Sequence, residues 1–250
     1  PSKSAAVQKE GATMNLWQNY IRPKNLTEAL DALAHAPRPL LPIAGGTDLL
    51  LDLEQRRHSP VQTLIDVTSI AEMTLLELRG GELFIGASVS VNRVATTPEV
   101  AHHAQALVEA CDLIAGPQVR NVATLGGNVA HALPAADGTI ALLALNAQAE
   151  IASYTQAAVP GSVSTRRIPF KELFLGPGKS SLKPGEELLV GFYIPIKTSE
   201  FSKNSEVYRV SSCFKRIMRP QGVALPILNC AVWLERDNDI IKDIRIAVGP

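Results

Sequence analysis

Two glycine pairs set the tightest limits on how this chain can fold. The first lies in "PIAGGTDLL" (42–50) and the second in "ATLGGNVAHALPAAD" (123–137). Glycine reaches φ > 0 and approaches a ligand with no Cβ in the way. Successive free N–H groups in such a turn form a concave anion site, and a helix starting there adds its positive end. One such loop suits one phosphate, and two loops converging from distant parts of the chain suit a pyrophosphate. On the pairs alone, two unrelated turns remain the alternative. The surroundings favour a joint role, because a strand-like run precedes the first pair and a long helical run precedes the second.

Local patterns supply the frame around these loops. Apolar residues at 26, 29, 30 and 33 predict a helix over 26–36, ended by Pro37 and Pro39. Strands follow at 40–44 and 62–67, with a helix over 48–57 between them, which makes a small α/β unit. Gly80-Gly81 sits between two β-rich runs in 73–87 and reads as a hairpin turn. The segment 97–117 reads as one long helix capped by Thr97, with Pro98 in its first turn and Gly116-Pro117 as its stop. A short helix over 139–147 and a strand at 149–154 come next, then strands at 187–194, 206–214, 226–234 and 240–248. The Gly-, Pro- and Ser-rich stretch 173–187 reads as an exposed connection.

The expected organisation is an extension or cloning remnant over 1–13, with Met14 as the natural start. An N-terminal unit over 14–67, a middle unit over 68–188 and a C-terminal unit over 189–250 follow. The final "IRIAVGP" reads as a domain that stops early.

Composition narrows the function. The 250 residues balance 24 basic against 24 acidic side chains, so no strongly basic face for nucleic acid is expected. Cys111, Cys213 and Cys230 form no CxxC pair, which argues against a disulfide framework or structural zinc and for buried free thiols in a reducing compartment. No apolar run reaches the roughly 20 residues a membrane crossing needs, and 1–13 lacks a signal core. A soluble cytoplasmic protein is the expectation.

Single-loop nucleotide motifs fail on spacing. Neither glycine loop is GxGxxG, and "GPGKSS" (176–181) lacks the upstream glycine of a Walker A motif, with Leu173 in its place. The five histidines form no HExxH pair. With no acid–base or nucleophile constellation in view, the chemistry is expected to come from a cofactor. Thr47, Thr124 and Asn128 can donate to phosphate oxygens. Asp48 either caps the helix after it or accepts from a ligand hydroxyl. Asp137 could accept from a ribose or ribitol hydroxyl, or cap the helix it precedes.

These stretches, together with "YIRPKNLTEALDAL", "GPQVRNVATLGGNVAHALPAADG", "LGPGKSSLKPGEELLVGFYIP" and "SCFKRIMRP", carry a resemblance. From Met14 to Pro250 the chain resembles the FAD-binding medium subunit, or domain, of the molybdenum hydroxylases, the family of xanthine and carbon monoxide dehydrogenases. The resemblance implies an α+β fold of the vanillyl-alcohol-oxidase (PCMH) type: two α/β subdomains, then a C-terminal subdomain of sheet and helices. It implies FAD between the first two subdomains, its pyrophosphate clasped by both glycine loops. Ile43, Ala44, Gly45, Gly46, Thr47, Asp48 and Leu49 would form the first loop. Thr124, Gly126, Gly127, Asn128 and Val129 would form the second, with Asp137 on the ribose or ribitol side. Ile114 would pack against the cofactor, and Leu189 and Lys215 would approach the flavin ring. No side chain is assigned a catalytic role, and no metal is expected on this chain.

The implied partners are a large subunit with the molybdenum cofactor and a small one with 2Fe-2S clusters. Electrons would pass to the FAD here and on to an acceptor such as NAD. Two departures stand out: "PQGVA" (220–224) lacks the family's aspartate after "KRIMR", and the family normally continues past "IRIAVGP". A free-standing FAD reductase or oxidase of the same fold, or an assembly subunit without flavin, are the rival readings.

Overall fold

The computed structural model describes residues 15–154, 162–196, 208–219 and 225–250. The expectations for 1–13, Met14 and 220–224 lie outside these residues.

The first unit comprises β1 (Asn19–Ile21), α1 (Leu26–His35), β2 (Leu40–Ile43), α2 (Leu49–Glu54) and β3 (Thr63–Asp66). Its strands pair in parallel in the order β1-β3-β2. Helix α1 starts where Asn25 Oδ1 accepts from Glu28 N, while Glu28 reaches back to the N–H of Lys24, a reciprocal arrangement that satisfies N–H groups the helix itself leaves free. Leu26, Ala29, Leu30 and Leu33 then bury one face.

Strands β4 (Leu76–Arg79) and β5 (Glu82–Gly86) form the expected hairpin, with φ of 56° and 85° at Gly80 and Gly81. Both values are positive, as a two-residue type I′ turn requires. A helical excursion follows through α3 (Val91–Thr96), α4 (Pro98–His103), α5 (Gln105–Leu113), α6 (Pro117–Val122), α7 (Leu125–Ala130) and α8 (Asp137–Ala144). The chain returns through β6 (Gln148–Tyr154), β7 (Val163–Pro169), the small hairpin β8 (Phe174–Gly176) and β9 (Lys179–Ser180), and β10 (Glu187–Pro195). The large sheet runs β4-β5-β10-β6-β7 and is antiparallel throughout. The whole is α+β, as expected. The middle unit is α+β in itself, because its helices form one excursion instead of crossing over between parallel strands.

The last unit is the antiparallel meander β11 (Tyr208–Ile217), β12 (Leu228–Asp237) and β13 (Ile240–Gly249). Phe214, Ala231 and Trp233 are buried on its inner face, which packs on α5 and α8. Among its described residues there is no helix, so the helices it uses belong to the middle unit.

Several expectations need correction. The boundary at 188/189 cuts through β10, which bonds to β5 and β6 in the middle sheet; that unit runs on to Pro195. The segment 173–187 is not simply an exposed connection, since it contains β8 and β9 and starts at the buried Leu173. The single helix over 97–117 is broken at Ala104 (φ −145°, ψ 52°) and ends at Leu113. Its restart is fixed from far away, where Ser212 Oγ on β11 accepts from Ala106 N at 3.0 Å. Thr97 does not cap, because its hydroxyl donates to Arg93 O. Of the three free thiols only Cys111 is buried, and burial pushes it up, whereas Cys213 is exposed and Cys230 half-buried. Among the described residues no helix is long and apolar enough to cross a membrane.

Candidate cofactor site

The first glycine segment leaves the carboxyl end of β2, next to the end of β3. There Val67 N donates to Ile43 O, and Ser88 Oγ donates to Val67 O. Ile43 is buried, while Ala44 to Thr47 are half-exposed. Gly46 has φ +69° and lies under the side chains of Ile43 and Leu50. From Gly45 through Leu49 the backbone N–H groups find no acceptor among the described residues. They form a row of free donors at a strand end, the local arrangement that binds anions.

The second segment is built differently. Thr124 is the N-cap of α7, its hydroxyl accepting from Gly127 N at 3.0 Å. Leu125 N donates to Val89 O, Gly126 N to Ala87 O and Asn128 N to Thr124 O. The N–H groups from Leu125 to Asn128 are therefore already satisfied, which corrects the expectation of a second loop of free donors. A Cβ on Gly126 would stand 2.5 Å from the Cβ and carbonyl oxygen of Ala87, so this glycine serves packing. Gly127 is the open one: a Cβ there would meet only Thr124 Oγ1, at 3.1 Å. Val129 is fully buried and holds α7 to the core.

The two segments touch. A Cβ on Gly45 would stand 2.6 Å from Val122 C and 2.8 Å from Ala123 Cα, with Val122 O nearer still. Gly45 thus lets the first segment lie directly on the backbone leading into Thr124. His131, at the end of α7, reaches back with Nδ1 3.9 Å from Asp48 Oδ2. Asp48 makes no side-chain cap to α2; its carboxylate accepts instead from Thr47 Oγ1 at 3.5 Å. Upstream, Arg120 donates to the carbonyls of Ile114 and Ala115 at 3.1 and 2.9 Å. That fixes the half-buried Ile114 at the end of α5.

Asp137 departs from the capping expectation. It begins α8 without capping it, and its side chain is 3% exposed. Oδ2 accepts from Arg216 Nη1 at 2.5 Å and Oδ1 from Asn229 Nδ2 at 2.9 Å. Each oxygen of the carboxylate thus accepts one bond from the protein. Burial pushes the Asp137 carboxyl up, and the Asn229 and Arg216 donors pull it back. Leu189 is buried in β10, beside a register shift against β6. Lys215 is largely exposed on β11, 3.9 Å from Glu109. Strand β10, which carries Leu189, packs against α7 of the second glycine segment. Sequence reasoning missed His131, Arg216 and Asn229, although His131 lies in the same quoted motif and Arg216 in "SCFKRIMRP".

This donor set fits a diphosphate-bearing cofactor. The segment with the free N–H row lies on the backbone that leads into Thr124 and the open face of Gly127. The buried Asn128 Oδ1 lies beside Gly138 and has no donor among the described residues.

Comparison with known proteins agrees. The family described as FAD binding domain in molybdopterin dehydrogenase matches residues 12–197, and the chain belongs to that family. Its cofactor is FAD and its class is oxidoreductase. The xanthine dehydrogenase FAD-binding subunit of Escherichia coli O157:H7 is 32% identical over 232 residues, covering 92% of this chain and 73% of the relative. The nicotine 6-hydroxylase medium subunit of Paenarthrobacter nicotinovorans is 32% identical over 235 residues, with the same coverage. Among solved structures, carbon monoxide dehydrogenase from Hydrogenophaga pseudoflava matches with a TM-score of 0.78 at 27% identity, over 93% of this chain and 74% of that one. Quinoline 2-oxidoreductase from Pseudomonas putida 86 gives 0.76 at 28%, over 93% and 73%.

Proposed function

We propose that this chain is the electron-transfer component of a molybdenum hydroxylase complex. It would receive electrons from 2Fe-2S clusters on a small partner subunit, supplied in turn by a large subunit with the molybdenum cofactor. An external acceptor such as NAD would take them on. The observation that carries this reading is the seating of Gly45 on Val122–Ala123, which joins the free N–H row to the open face of Gly127.

The residues have distinct tasks in this reading. The N–H groups from Gly45 to Leu49 hold phosphate oxygens, aided by the hydroxyls of Thr47 and Thr124. Gly127 admits the close approach, and Asn128 takes a donor from the cofactor. Ile43, Ala44, Gly126 and Val129 set the backbone positions of these groups. FAD, when bound, supplies the redox chemistry, taking up electrons singly and releasing them as a pair. No side chain need act as acid or base.

Anaerobic mixing of the FAD-loaded protein with NADH tests the acceptor, since transfer to NAD must also run in reverse. Bleaching of the yellow flavin band is expected; an unbleached band refutes NAD as acceptor. Affinity purification from the native host tests the complex. Molybdenum and iron in stoichiometric amounts should accompany the chain, and a flavoprotein isolated without them would refute the partner arrangement.

A further inference from the structure

Helix α5 ends on an elbow that its own backbone would not favour. After the C-cap Ile114, Ala115 takes φ +45°, a left-handed conformation that glycine accepts freely and alanine adopts only at a cost. The neighbouring glycine does not take that conformation: Gly116 has an ordinary φ of −92° as the N-cap of α6. Strain of this kind persists where surrounding groups over-determine it, and it gathers at working sites.

Arg120 supplies the hold. Its Nη1 donates to Ile114 O at 3.1 Å and to Ala115 O at 2.9 Å, and its Nη2 lies 3.7 Å from Asp112 Oδ1. The Arg120 side chain is 15% exposed and Asp112 stands in solvent, so the guanidinium is committed chiefly to the two carbonyls. With both acceptors tied down, the elbow offers the half-buried, apolar side chains of Ile114 and Ala115. Helix α6 joins this elbow to the glycine segments. It starts at Pro117, directly after the elbow, and ends at Val122, whose carbonyl lies against Gly45. Six residues at the α-helical rise set the two ends about 9 Å apart. A ring tethered by a short chain to a diphosphate on the Gly45–Leu49 row can reach over that distance.

We propose that Arg120 is a positioning residue for the flavin ring: by bonding both carbonyls of the elbow, it holds Ile114 and Ala115 as an apolar wall against the ring. Arg120 acts through the elbow, since its donors are spent on the two carbonyls. Such a wall keeps water off the ring and tunes its electronics, which shows in the visible flavin band and not in stability alone. This inference rests on the FAD reading above and deepens it by a residue that reading does not use.

The test measures FAD affinity by fluorescence quenching, the visible band of FAD-saturated protein and thermal melting, for the unaltered protein, Arg120→Met, Arg120→Lys and Ile114→Ala. Arg120→Met releases the elbow and should weaken FAD on the order of tenfold, as expected for coupled neighbours, with a shifted flavin band. Lysine keeps a charged donor for the same carbonyls, so Arg120→Lys should recover most of the affinity and the parent's band. Ile114→Ala trims the wall directly and should shift the band in the same sense as Arg120→Met. If Arg120→Met loses only melting temperature, with the parent's affinity and band, Arg120 is a strut alone and the positioning role is refuted. An Arg120→Lys variant that melts like the parent yet binds FAD as weakly as Arg120→Met overturns it too. Should Arg120→Met fail to fold, Ile114→Ala decides, and a parent-like band there refutes the proposal. If the unaltered protein binds no FAD, the underlying reading falls; full binding that none of the variants alters refutes this inference alone.

Discussion

Replacing Gly45 by alanine would strike the contact on which the site depends. The new Cβ would lie 2.6 Å from Val122 C and 2.8 Å from Ala123 Cα. Ordinary contact begins near 3.4 Å, and Val122 O lies nearer than either atom, so the two backbones must part by more than about 0.8 Å. Both neighbours are main chain, so no side chain can swing aside. Overpacking of this kind costs about 1–3 kcal/mol, and a backbone clash belongs at the upper end. For a chain of this size that lowers the melting temperature by roughly 6–12 °C. The same displacement draws the free N–H row of Gly45 to Leu49 away from the open face of Gly127, so FAD affinity should fall as well. Circular-dichroism melting without cofactor, followed by FAD titration of the folded variant below its transition, separates the two effects. An unchanged melting temperature with undiminished FAD binding would falsify the packing of one segment on the other.

Three further outcomes follow from the same geometry. Gly127→Ala meets only Thr124 Oγ1 and gains about 1 kcal/mol of helix propensity; its melting point should hold or rise while FAD affinity drops, and unaltered affinity would mean that nothing approaches that face. Arg120→Met frees the carbonyls of Ile114 and Ala115 and should cost about 2 kcal/mol; denaturant unfolding that shows no loss would remove Arg120 as the strut beneath Ile114. Burial, and secondarily the charge of His102, lower the pKa of His103. The folded state then favours the neutral ring, so its contribution to stability is present above the ordinary imidazole value and is lost as pH falls through the lowered one. An NMR titration of the His103 ring with a midpoint at or above the ordinary value would contradict this.

Local signals in the sequence were enough for the pieces whose causes are local. The helical spacing of α1 and the Gly80-Gly81 turn both appear where the pattern places them. The continuous apolar run of β10 likewise marks a strand buried on both faces. What escaped was decided by distant partners. The break at Ala104 carries no Gly or Pro, and the acceptor for the restarted helix is Ser212. The N–H groups around Gly126 look free in the sequence but are satisfied by Val89 and Ala87 on the approach from β5. The protein donors to Asp137, Arg216 and Asn229, arrive from the third sheet and leave no local trace beside it. Helices as short as α6 and α7 leave too few residues for a period to show. The glycine pairs could mark a site, yet not which pair kept its donors.

Amide hydrogen exchange with and without saturating FAD addresses the central claim most directly, because it reads the two glycine segments separately. Without FAD the amides from Gly45 to Leu49 should exchange freely and those from Leu125 to Asn128 slowly, in keeping with their partners. Added FAD should slow the first group sharply and leave the second nearly unchanged. Unaltered exchange from Gly45 to Leu49 in protein shown to be saturated with FAD would contradict the claim that this row holds the cofactor.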